Sequence, residues 1–109
     1  MDYGLCLPNF PTGASPEGIE AAADVAERLG WSTVWTTDHV LVPRDSEPDY
    51  GRIYEAILTL AWVGARHARV RLATSVIVVP QRNAVLLAKE IASLDSLSGG
   101  RLTAGVGIG

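Results

Sequence analysis

The sequence "STVWTTDHVLVPRD", residues 32–45, places an acid and a histidine side by side where a β-branched run stops, at Asp38 and His39. Histidine is the side chain best suited to moving protons near neutral pH, so the pair reads as a candidate acid–base centre. It reads equally as an aspartate that turns the chain and a histidine satisfied by a backbone carbonyl. The segment that follows, "VLVPRDSEPDYGR", is a polar connection of about 13 residues, where strand-to-helix loops commonly run ~2 to 6. Such length marks a lid or binding loop. Its charged residues Arg44, Asp45, Glu47, Asp49 and Arg52 each read more simply as solvated surface than as substrate contacts.

A second candidate is "GVGIG", Gly105 to Gly109. A dinucleotide fingerprint needs Gly-x-Gly-x-x-Gly opening a helix. Here the glycines alternate along a strand, a pattern that fits close packing or a planar ligand laid against the backbone. The single cysteine, Cys6, rules out an internal disulfide and has no nearby cysteine or histidine to build a metal site, so no metal is expected. It reads as a small buried strand residue.

The elements that must position these residues follow from periodicity. "YGLCLPN", residues 3–9, is a short apolar strand. Ser15-Pro16-Glu17 then supplies a cap, a first-turn proline and a first-turn acid for a helix with its apolar face on Ile19, Ala22, Ala23, Ala26 and Leu29, stopped by Gly30. "STVWT" is a second strand. A second helix is expected over 53–68, with Tyr54, Ile57, Leu58, Ala61 and Ala65 on its inner face and Arg66 and His67 as a solvated C-terminal turn. "VRLATSVIVV" is a third strand. Asn83 caps a third helix facing inward through Leu87, Ala88, Ile91, Leu94 and Leu97 and ended by Gly99-Gly100, and "RLTAGVG" is a fourth strand.

Strands alternating with amphipathic helices imply βαβ units and a parallel sheet. The pattern fits an open doubly wound sheet or the first half of a (β/α)8 barrel. In either, ligands gather at the carboxyl ends of the strands. Asn9, Asp38-His39, Ser75-Val76 and Gly107 to Gly109 all fall on that rim. His67 falls on the opposite one.

Composition narrows the function classes. The chain has 109 residues, 48% hydrophobic and 19% charged, and a formal net charge of −3. That suits one small globular domain and offers no basic surface for nucleic acid. Its apolar stretches fall short of the ~18 residues of a membrane span, and nothing at its start resembles a signal peptide, so a cytoplasmic protein with a small-molecule substrate is expected.

The segments "GLCLPNF", "GWSTVWTTDHVLVP" and "VRLATSVIVVPQRNAVLLAKEIASLDSLSGGRLTAGVGIG" together closely resemble the N-terminal part of the luciferase-like flavin and deazaflavin oxidoreductases, especially the coenzyme F420-dependent ones. The resemblance covers essentially the whole chain. It implies an α/β fold in which residues 1–109 form the N-terminal half of a (β/α)8 barrel, with four parallel strands and three helices. It also implies an oxidoreductase that passes a hydride between coenzyme F420 and a small organic substrate. An FMN-dependent monooxygenase using reduced flavin and oxygen is the alternative, and a non-catalytic barrel or assembly module a third.

Carried over by position, the resemblance makes His39 catalytic and has Asp38 contact the deazaflavin. It makes the Ser75-Val76 peptide a non-prolyl cis bond whose bulge supports the ring. Val78, Ile108 and Gly109 would line the cofactor, the first two through van der Waals or backbone contacts, because some relatives carry threonine there. Barrels of this kind hold the cofactor phosphate with loops after strands seven and eight. Residues 1–109 alone are therefore expected to be inactive, and their exposed sheet edges favour pairing with a second half or another copy, hence a homo-oligomer.

Overall fold

A computed structural model describes residues 1–11, 13–46 and 51–109. The elements run β1 (Gly4–Cys6), α1 (Pro16–Arg28), β2 (Thr33–Thr36), a 3-10 turn (Arg44–Ser46), α2 (Ala56–Gly64), β3 (Arg71–Val78), a second 3-10 turn (Val79–Gln81), α3 (Ala84–Leu97) and β4 (Leu102–Gly107). The four strands form one parallel sheet in the order β1-β2-β3-β4. Sequential order in an all-parallel sheet is the arrangement of a barrel wall rather than of a sheet wound from its middle.

One register row, Leu5, Val34, Leu72 and Leu102, faces the helices, and its core members Val34 and Leu72 are fully buried. Ile19, Ala23 and Ala26 of α1, Ile57, Leu60 and Val63 of α2, and Leu87 and Leu94 of α3 close over it. The adjacent row, Cys6, Trp35, Ala73 and Thr103, faces the other way. Cys6 sits on that uncovered side and is exposed, not buried as its small size and strand position suggested. Partial desolvation pushes its thiol up from the ordinary value.

Two helices differ from expectation for identifiable reasons. The second begins at Ala56 rather than Ile53, because Asn9 takes the groups that Tyr54 would have placed in a helix. The Tyr54 amide donates to the Asn9 carbonyl at 2.7 Å, and Asn9 Nδ2 donates to the Tyr54 carbonyl at 3.0 Å. Glu55 then caps α2 by accepting from the Leu58 amide. The inner face is turned as well: Ala56, Ile57, Leu60, Val63 and Gly64 are buried, while Leu58 is 70% exposed. A Cβ on Gly64 would lie 2.6 Å from Leu72 Cδ1, so the backbone at Gly64 rests directly on the sheet and sets the helix phase. On the other two helices, Leu29, Ala88 and Leu97 are exposed rather than inward.

His67 is the largest departure. It follows α2, yet it is only 4% exposed, held between two carboxylates of α1. Its Nδ1 lies 3.2 Å from Glu27 and its Nε2 3.3 Å from Glu20. Glu27 also accepts from the Arg69 amide at 2.8 Å, and that backbone hydrogen bond, with His67 and the Arg69 charge assisting, lowers its pKa against the opposing effect of desolvation. A carboxyl whose folded pKa is depressed stabilises the fold above its ordinary value and loses that contribution as pH falls through the folded one. Glu27→Gln should therefore flatten the acid limb of the stability profile below the ordinary glutamate range of about 4.3. Urea melts of the intact protein at descending pH check this, and an unchanged acid limb would refute it.

Candidate functional site at the carboxyl rim of the sheet

Between Thr74 and Ile77 the β3–β4 register shifts by one residue, which puts an extra residue of β3 at the bulge carrying Ser75 and Val76. The peptide joining these two is cis. Thr74 repairs the interrupted ladder with its side chain: Oγ1 donates to the Gly105 carbonyl at 2.9 Å and accepts from the Gly105 amide at 3.0 Å. Thr74→Val keeps the shape and leaves both Gly105 groups without that partner. We expect it to cost about 1 to 3 kcal/mol in equilibrium denaturation of the intact protein, with Thr74→Ser near wild type.

The alternating glycines answer to the same bulge. A Cβ on Gly105 would overlap the Thr74 carbonyl oxygen, and one on Gly107 would lie 2.7 Å from Val76 Cγ2. Strand β4 can lie against the bulged β3 only without side chains there. Ser75 and Val76 are consequently turned outward, and Val76, Val106 and Ile108 leave an apolar edge exposed at the rim. Gly109 follows at φ +93°.

The exit of β2 is fixed from two sides. Asn9, fully buried, accepts from the Thr37 amide and hydroxyl, each at 3.2 Å, and donates to the Thr37 carbonyl at 2.8 Å. Next in the chain, the Asp38 carboxylate accepts from the Val78 amide at 3.0 Å and from the Arg82 guanidinium through both oxygens. The same guanidinium reaches Glu55 Oε1 at 2.6 Å. Burial opposes the charge of Arg82, but its hydrogen bonds to Asp38 and Glu55 outweigh that effect and raise its pKa.

His39 is half-buried and lines a cavity of about 340 Å³ together with Val40, Leu41, Val42, Arg44 and Ile53. A larger groove of about 560 Å³ lies between α1 and α2, walled by Ile19, Leu58 and Trp62, and its ionisable groups are Glu55, already engaged by Arg82, and the Tyr54 phenol. The smaller cavity is the one that a histidine lines.

His39, Ser75-Val76, Ile108 and Gly109 all lie at the carboxyl end of one parallel sheet. Two expected cofactor-lining residues differ in how they are presented. Val78 is 4% exposed, with its amide taken by Asp38, and the Asp38 side chain is 1% exposed within the Arg82 pair. Glu47 and Asp49 lie outside the described residues. Gln81, Arg82 and Glu55, which tie the rim together, carried no distinct signal beyond two long polar side chains between Pro80 and the helix cap Asn83. Among the described residues no cluster of three or more His, Cys, Asp or Glu could hold a metal, and no helix is long and apolar enough to cross a membrane.

Comparison with known proteins adds to this geometry. A family model described as luciferase-like monooxygenase matches residues 1–109. An uncharacterized protein of Mycobacterium tuberculosis is 35% identical over 122 residues, covering all of this chain and 42% of its own length. The F420-dependent glucose-6-phosphate dehydrogenase of Kineococcus radiotolerans is 36% identical over 96 residues, covering 87% of this chain and 28% of the enzyme. Among solved structures, the monooxygenase RslO1 from Streptomyces bottropensis superposes with a TM-score of 0.77 at 28% identity, over 97% of this chain and 32% of that one. The chain thus spans less than half the length of each relative.

Proposed function

The chain belongs to the luciferase-like monooxygenase family, and from that premise we propose that the intact protein is an oxidoreductase that transfers a hydride between coenzyme F420 and a small organic substrate. The observation that carries this reading is a histidine lining a cavity at the same sheet rim as a bulged strand with exposed apolar side chains, on a chain 36% identical to an F420-dependent dehydrogenase.

The residues present fit a flat heteroaromatic ring. Val76 and Ile108 are both exposed and apolar at this rim, and the Val76 side chain takes the space that a Cβ on Gly107 would fill. When bound, a deazaflavin supplies a ring carbon that accepts or donates hydride. Val76, Ile108 and Gly109 would back the ring. Val78, buried beside Gly109, ends the bulged strand, and Asp38 acts at one remove by holding the Val78 amide. His39 would hold or move a proton at its imidazole as the substrate is oxidised or reduced, with the wall of residues 40–42 shaping the space on the substrate side. These elements form one wall of the site, so residues 1–109 by themselves are expected to be inactive.

The second reading, an FMN-dependent monooxygenase, draws support from the likeness to the monooxygenase RslO1. A non-catalytic barrel or assembly module is the third. Equilibrium titration of the intact protein with F420 and with FMN, followed by absorbance and fluorescence, separates them. Saturable binding of F420 at micromolar concentration with much weaker FMN binding is expected. Preference for FMN would move the assignment to the monooxygenase, and binding of neither would leave the non-catalytic reading.

A further inference from the structure

The turn after β3 holds the chain on both sides of His39, through the Asp38 side chain before it and the Val40 and Leu41 backbone after it. On one side Arg82 engages Asp38 with both of its fork nitrogens, Nε at 3.1 Å from Oδ2 and Nη2 on Oδ1. On the other, Gln81 Oε1 accepts from the Val40 amide at 2.7 Å and from the Leu41 amide at 3.3 Å, while its Nε2 donates to the Leu41 carbonyl at 2.8 Å. We propose that Gln81 and Arg82 are positioning residues for His39: the pair fixes the 38–41 backbone against the ledge strand and thereby sets where the imidazole stands. This inference rests on the oxidoreductase reading for its functional meaning.

The chemistry of the two side chains suits the task. The Arg82 and Asp38 side chains are 10% and 1% exposed, so their ion pair is shielded from water and salt. A planar guanidinium fixes direction as well as distance, which a lysine ammonium does not. Its third partner, Glu55, accepts from the Leu58 amide through its other oxygen and opens α2. One cation, in the turn after β3, therefore ties together the end of β2 and the start of α2, the two ends of the long connection that carries the cavity wall. Gln81 suits its place because an amide both accepts and donates: two neighbouring backbone donors converge on its carbonyl oxygen, and its NH2 returns to the same segment. Val40 and Leu41, the residues so held, line the cavity with His39.

The test uses the intact protein and needs no substrate. Amide exchange at Val40, Leu41 and Val78, and the side-chain NMR signals of His39, are compared in wild type, Arg82→Met, Arg82→Lys and Gln81→Ala, with Ala23 in α1 as the reference for global stability. In Arg82→Met, Val78 exchange should rise about tenfold or more relative to Ala23, the scale of one lost charge-assisted hydrogen bond, and the His39 signals should shift or split. Arg82→Lys should recover part of this. Gln81→Ala should speed Val40 and Leu41, leave Val78 near wild type, and also disturb His39. Exchange that changes only in step with Ala23, with His39 unmoved in both Arg82→Lys and Gln81→Ala, would overturn the proposal, and those two variants decide it even where Arg82→Met does not fold. Failure of wild type to bind F420 would instead count against the oxidoreductase reading while leaving the exchange result intact.

Discussion

Replacement of His39 by alanine in the intact protein should lower the rate of F420 reduction at saturating substrate by about 10²- to 10⁴-fold, the range for loss of one positioned acid–base group. Cofactor affinity should stay within roughly threefold of wild type, because the proposed ring contacts come from Val76, Ile108 and Gly109, whose placement depends on the β3 bulge and not on the imidazole. The split between the two readouts carries the meaning. A packing role for His39 would weaken cofactor binding and catalysis together. Added imidazole should restore part of the lost rate in His39→Ala, since the cavity beside the ring is large enough, at about 340 Å³, to admit it. Unchanged turnover would remove His39 from the mechanism.

His39 was legible in the sequence because its position did not depend on detail. A β-branched run of a parallel strand had to end at residue 36 or 37, and whatever followed had to stand on the carboxyl rim. Asp38 was legible only in part. The sequence marks it as an acid beside a histidine, but its partners come from residues 78 and 82, some forty positions along, and no local pattern predicts a buried pair of that separation. His67 failed for the same reason. Its neighbours in the chain are arginines, which suggest solvent, whereas its neighbours in space are Glu20 and Glu27 of α1. The phase of α2 was also beyond periodicity. Almost every position from 56 to 64 is apolar or small, so the inward face is chosen by the close approach of Gly64 to Leu72 and by the hold of Asn9 on Tyr54.

The glycines of β4 show how a pattern can be visible while its cause is not. Alternation at 105, 107 and 109 signalled something laid close against the strand, and the structure identifies it, at the first two positions, as the neighbouring strand itself. Gly105→Ala should consequently be among the most damaging single-methyl additions in the chain. The new Cβ meets the Thr74 carbonyl oxygen, a backbone atom that cannot swing aside, and relieving the overlap would pull apart the two hydrogen bonds between Thr74 Oγ1 and Gly105. Overpacking of this kind costs about 3 kcal/mol or more when the obstructing atom is fixed. Gly99→Ala is the matched control. Gly99 has φ +72° with nothing within 4 Å of an added Cβ, so only the left-handed backbone opposes the substitution, at about 1 to 2 kcal/mol. Denaturant melts of both variants in the intact protein should therefore rank Gly105→Ala well below Gly99→Ala, with loss of soluble protein as the extreme form of the same result. Equal stabilities would mean that β3 and β4 separate easily at the bulge, and a ledge that loose could not support a ring against His39.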